Sequence, residues 1–206
     1  MLPRDRGVIV QVGSALSERS IPLQASYCGA KHAVRGFTDS LRCELYHDKS
    51  NVHVTMVQFP ALNTPQFGWV RSKLDRKPQP VPPIFQPEVA ADAIVYAAHH
   101  NRREIIVGGS TLQAMWGNKF IAGLLDRYLG LTGYDAQQTE EPEDPNRPDG
   151  LWSPVPGDHG AHGSFDSRAK SRSIQWELNR NRGRIALGAL ALGTAAGVAG
   201  VMMRRR

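Results

Sequence analysis

Three side chains near the start of the chain have types and spacing suited to moving a proton to or from an oxygen. They are Ser14, Tyr27 and Lys31, within the stretch SALSERSIPLQASYCGAK. Tyr27 and Lys31 are four residues apart, so a helix places them on one face, one turn from each other. A phenol with a pKa near 10 is a weak acid or base at neutral pH. A neighbouring ammonium favours the phenolate and draws that value down. Ser14, thirteen residues before Tyr27, offers a hydroxyl that can hold a substrate oxygen. Together the three fit protonation of a carbonyl or deprotonation of an alcohol. Y-x-x-x-K alone is common on ordinary helix surfaces, so the chemistry depends on the elements around it.

Those elements read clearly. GVIVQV (residues 7–12) is a short β-branched run ending at Gly13-Ser14, the pattern of a strand buried in a parallel sheet. From Ser26 to about Tyr46, Ala30, Val34, Phe37, Leu41 and Leu45 recur at helical spacing. VHVTMVQF (52–59) is a second strand, stopped by Pro60. Strand, helix and strand make a parallel βαβ unit, which returns Ser14 to the start of the helix carrying Tyr27. Ligands of open α/β sheets bind beyond the carboxyl ends of the strands, which is where these residues fall. Residues 61–83 form a long proline-rich stretch with Phe67 and Trp69, the kind of loop that covers a binding site. Pro87 and Glu88 open a further helix, Glu104 to Gly108 is a third strand, and Trp116 to Leu129 reads as another helix.

With these residues in place, GVIVQVGSALSERSIPLQASYCGAKHAVRGFTDSLRCEL resembles the fifth strand and fifth helix of the short-chain dehydrogenase/reductase family. The resemblance implies hydride transfer between NAD or NADP and an alcohol or carbonyl substrate. It implies that Ser14 orients the substrate oxygen and that Tyr27 gives or takes its proton. Lys31 then lowers the tyrosine pKa and bonds the nicotinamide ribose. The family's P-G-x-V-x-T loop corresponds to Phe59-Pro60-Ala61-Leu62-Asn63-Thr64. Pro60, Leu62 and Thr64 are accordingly expected on the cofactor side with Tyr27 and Lys31, although Phe59 and Pro60 stand where the family has proline and glycine. No T-G-x-x-x-G-x-G turn occurs in the chain. The resemblance therefore leads to the expectation of a C-terminal half of a doubly wound, Rossmann-like parallel sheet at residues 1–134. As it stands, such a chain would be incomplete as an enzyme and would not bind NAD(P)H by itself. The alternative is a non-catalytic remnant acting as a membrane-associated interaction protein.

Charge divides the rest. Residues 1–134 hold 15 Lys/Arg against 10 Asp/Glu, residues 135–167 one Arg against 8 acids, and residues 168–206 9 Lys/Arg against Glu177 alone. The basic pI is thus not one basic surface, and nucleic acid is not an expected partner. Residues 135–172, acidic and rich in Pro and Gly, read as a disordered linker, because they offer too little apolar surface to offset ordering. His159 and His162 lie there among glycines, without a carboxylate partner visible in sequence, so no metal site is expected. In the last segment, 173–206, the run IALGALALGTAAGVAGVMM (185–203) carries no charge and is about 28 Å long as a helix. It is read as a membrane segment holding the catalytic domain on the cytoplasmic side, with Gly193 and Gly197 on a helix-pairing face. A homo-oligomer is a further possible assembly. Cys28 and Cys43, on one helix about 22 Å apart, cannot bridge.

Overall fold

The computed structural model describes residues 1–190 and 194. It divides into two units, Met1–Ser173 and Ile174–Arg206. In the first, β1 (Gly7–Val12), β2 (Val52–Gln58) and β6 (Glu104–Ile106) form a parallel sheet in the order β1-β2-β6. The register pairs Gly7 with Val52 through Val12 with Val57, and Met56 with Glu104 through Gln58 with Ile106. Helix α1 (Ala25–His47) joins β1 to β2, and α2 (Pro87–His99) and α3 (Gly109–Thr132) flank β6 in sequence.

The central strand is buried along nearly its whole length, which is why VHVTMVQ is so uniformly β-branched or apolar. Val52 and Val54 pack with Leu45 of α1, with Ile9 and Leu41 alongside. Helix α2 lies against β1 and β2. Its buried stripe is Val89, Ala90, Ala93 and Ala97, whose small side chains let helix and sheet approach closely. Pro87 begins it, where a missing N–H costs nothing. Around this sheet lie two short pairs, β3 (Ala61–Leu62) with β5 (Ile84–Phe85), and β4 (Arg76–Pro78) with β7 (Gln138–Pro142).

Two expectations are overturned here. Residues 135–172 are not a disordered linker. They run back along the 61–86 loop and are tied to it by backbone hydrogen bonds at successive points. Gln79 N donates to Gln137 O at 2.9 Å, Gly150 N to Trp69 O at 3.0 Å and Gly163 N to Asn63 O at 3.0 Å. Lys170 N donates to Ile84 O at 2.9 Å, and Gln86 N to Lys170 O at 3.0 Å. Phe165 is buried and meets Phe67 edge-on, with ring centroids 6.0 Å apart. Pairing with a distant loop, together with one aromatic anchor, supplies what local apolar content does not.

The second correction concerns the expected apolar membrane helix. Most of residues 185–203 lies outside the described residues. Among the described residues no helix is long and apolar enough to cross a membrane. The membrane anchor, the membrane partner and the membrane-associated location that rested on it are not retained. The second unit's described helix is α4 (Ile174–Arg180), followed by helical residues to 190.

Candidate active site

Ser14 follows β1 directly and caps the 3-10 turn Ala15–Ser17. Its extended backbone (φ −155°, ψ 157°) lets the hydroxyl accept from Leu16 N at 3.1 Å, while Ser14 N donates to Ser17 Oγ at 3.1 Å. With one lone pair of Oγ taken by Leu16 N–H, the hydroxyl keeps a second lone pair and its proton for a further partner. It lies on the Tyr27 side of the turn, close enough to act on the phenol's titration. Ser14 is buried, whereas Tyr27 is 43% exposed, so the phenol is open to an incoming molecule while its neighbour is fixed.

Lys31 lies one turn further along α1. Its ammonium is 5.6 Å from the centre of the Tyr27 ring and donates to the Val12 carbonyl at 3.0 Å. Burial pushes the phenol pKa above its ordinary value, and the Ser14 hydrogen bond works against that rise. Burial also pushes the Lys31 ammonium below its ordinary value. The electrostatic balance thus differs from the one expected from residue types alone. Desolvation leads at Tyr27, and the group that opposes it is Ser14.

The loop after β2 reaches the same end of the sheet. Ala15 N donates to Phe59 O at 2.8 Å, which ties the serine turn to that loop. Pro60 is buried beside Gly108, whose φ of +85° and lack of a Cβ allow the approach. Leu62 and Thr64 have a different setting. Leu62 lies in β3, opposite Phe85, and the Thr64 carbonyl is covered by Gly163, where a Cβ would come within 2.5 Å of its oxygen. Between them Asn63 is fully buried, a residue that sequence reasoning passed over. Its amide donates to Gln86 Oε1 at 3.1 Å and Asp166 Oδ1 at 2.8 Å, and its oxygen accepts Phe165 N at 3.0 Å. His162, expected to have no carboxylate partner, has two: Asp166 at 3.0 Å and Glu88 at 2.7 Å. Asp166 lies four residues from His162, but Glu88 and the partners of Asn63 are distant in sequence and carry no local signal. Among the described residues no cluster of three or more His, Cys, Asp or Glu is placed to hold a metal. Cys28 is buried and Cys43 exposed, both as free thiols.

Comparison with known proteins follows this geometry. A sequence model described as short chain dehydrogenase matches residues 1–75, which take in β1, α1, β2 and the loop beyond. The chain is 30% identical over 168 residues to an uncharacterized oxidoreductase, YxnA, of Bacillus subtilis, covering 81% of this chain and 47% of that protein. It is 51% identical over 45 residues to human dehydrogenase/reductase SDR family member 7, covering 22% of this chain and 13% of the human protein. A Burkholderia cenocepacia short chain dehydrogenase, solved in complex with NADP, superposes with a TM-score of 0.45 at 22% identity. That superposition covers 62% of this chain and 49% of the other. The chain spans about half the length of the Bacillus relative and less of the human one. The family match over residues 1–75 overturns the expectation of a C-terminal remnant left without its dinucleotide-facing part. Strand β1, the serine turn and the helix carrying Tyr27 all lie inside the matched region. Over residues 1–75 the chain carries a short chain dehydrogenase pattern, and its similarity is to oxidoreductases of that kind.

Proposed function

We propose that the chain serves an NAD(P)-dependent oxidoreductase reaction on an alcohol or carbonyl substrate, with Ser14, Tyr27 and Lys31 as its proton-handling group. One observation carries the reading. A half-exposed phenol lies beside a buried, backbone-fixed serine hydroxyl, with an ammonium one helical turn away, beyond the carboxyl end of a parallel strand. Among the described residues no histidine is hydrogen-bonded to Ser14, so it lacks the base a serine nucleophile needs. Its role is to orient an oxygen. Tyr27 then gives a proton to that oxygen when a carbonyl is reduced and takes it back when an alcohol is oxidised.

The residues present fit a nicotinamide nucleotide. Lys31 commits one donor to Val12 and keeps others for a ribose hydroxyl, and buried Pro60 presents an apolar surface at the same strand ends. When bound, the nicotinamide supplies or accepts the hydride. The chain's own contribution is the proton and the position of the oxygen.

The test uses the purified chain with NADH or NADPH and a panel of small aldehydes and ketones, followed by nicotinamide absorbance. Saturable binding is expected, with Tyr27→Phe lowering turnover by roughly 10²–10⁴-fold, the usual worth of a positioned general acid. Full turnover in Tyr27→Phe would remove the tyrosine from the mechanism. A wild-type chain that shows no saturable nucleotide binding would remove the cofactor from it.

A further inference from the structure

Gln58, the last residue of β2, is fully buried, yet it lies in the first layer behind the serine turn. Its Oε1 accepts Ser14 N at 2.8 Å. Its Nε2 donates to Glu18 Oε1 at 3.1 Å and to Glu104 Oε1 at 3.0 Å. Both carboxylates also meet the guanidinium of Arg35, which is 3.0 Å from Glu104 and closer still to Glu18.

This arrangement decides which way the amide points. Turned over, Gln58 would set its oxygen against two anions and its NH₂ against the Ser14 N–H. Three repulsive contacts would replace three hydrogen bonds, so the carbonyl must face the serine. Gly13 completes the fit: a Cβ there would overlap the Gln58 oxygen.

We infer that Gln58 is a positioning residue for the proposed reaction, fixing the backbone of Ser14, and through it the hydroxyl beside Tyr27, by means of an amide oriented by Glu18, Glu104 and Arg35. The inference rests on the function proposed above. It assigns a role to a residue that touches neither Tyr27 nor a bound molecule, and it joins the ends of β1, β2 and β6 and helix α1 into one support for the serine.

The test reads the phenol directly and needs no substrate. Protein labelled with ¹³C at the tyrosine ring is titrated by NMR, with the Tyr27 resonance assigned from Tyr27→Phe. Because the Ser14 bond opposes the burial-driven rise at Tyr27, its loss raises the midpoint. Ser14→Ala is the reference for that upward shift. Gln58→Met, which keeps side-chain length and removes both polar atoms, is expected to shift the midpoint in the same direction. The double variant is expected to move no further than Ser14→Ala alone. Gly13→Ala provides a second route, displacing the amide without deleting it, and is expected to give the same shift if Gln58→Met does not fold. If Ser14→Ala shifts Tyr27 while neither Gln58→Met nor Gly13→Ala does, the positioning role is refuted and the Ser14–Tyr27 reading survives. A midpoint unmoved by Ser14→Ala itself refutes both.

Discussion

Asn63 offers a quantitative test of how residues 135–172 are held. Replacing it by alanine removes three hydrogen bonds, and they are unequal. Gln86 and Asp166 have other partners: each other at 2.9 Å, and His162 for Asp166. Losing those two bonds costs about 0.5–1 kcal/mol each. Phe165 N–H is buried and loses its acceptor, at about 1–3 kcal/mol. The sum is about 2–5 kcal/mol, and at about 2–4 °C per kcal/mol for a chain of this size Tm falls by roughly 4–20 °C. Asn63→Asp makes a sharper comparison, since it keeps the acceptor for Phe165 and sets a second carboxylate oxygen where the donor met Asp166. The introduced carboxyl then has a folded pKa raised by that like charge. Its stability relative to the native residue is best below the unfolded value, about 3.9, and is lost as pH rises through the raised folded value. Thermal melts at pH 7 and at pH 4 are the assay, with amide exchange over residues 158–170 as the local readout. Asn63→Ala is expected to melt lower at both pH values, and Asn63→Asp only toward neutral pH. A Tm within 1 °C of the parent for Asn63→Ala (about the smallest shift worth reading against these slopes), with unchanged exchange, would refute the anchoring argument.

Three further outcomes are expected. His162 has its pKa raised by hydrogen bonds to Glu88 and Asp166, while both carboxyls are lowered. The imidazole's contribution is complete below 6.5 and lost as pH climbs through its raised value. The carboxylates' contributions are complete above 4.5 and 3.8 and lost as pH falls through their lowered values. Amide protection of residues 158–166, corrected for intrinsic exchange, should therefore be greatest between those limits; a flat profile, or one unaffected by His162→Gln, would contradict this. Phe165→Ala empties a site against Phe67 and the Arg168 guanidinium and should cost about 3 kcal/mol, visible as a lower denaturant midpoint at constant slope. Lys31→Met should lower turnover with nicotinamide substrates yet leave the Tyr27 midpoint of the free chain almost in place, because the ammonium is committed to the Val12 carbonyl. A large rise in that midpoint would show that the ammonium governs the phenol directly.

The sequence by itself determined the strand–helix–strand unit and the meeting of Ser14, Tyr27 and Lys31. These follow from periodicity and short spacing: β-branched runs make strands, residues four apart share a helix face, and a parallel crossover returns the chain to the end of the first strand. Tertiary structure alone decided what surrounds that group. Gln58 reaches Ser14 across 44 positions, and Asn63 reaches Phe165 and Asp166 across 102 and 103. A glutamine or asparagine has no local signature for such a task, since its hydrogen bonds are satisfied only by groups that folding brings near. Residues 135–172 show the same limit from the other side. Their composition predicts disorder because it counts apolar surface, whereas they are ordered by backbone pairing with a loop 60 to 100 positions away. The tyrosine's titration belongs there too. Lysine spacing pointed to a lowered phenol, but desolvation, a property of packing, raises it, and the hydroxyl of Ser14 provides the opposing pull.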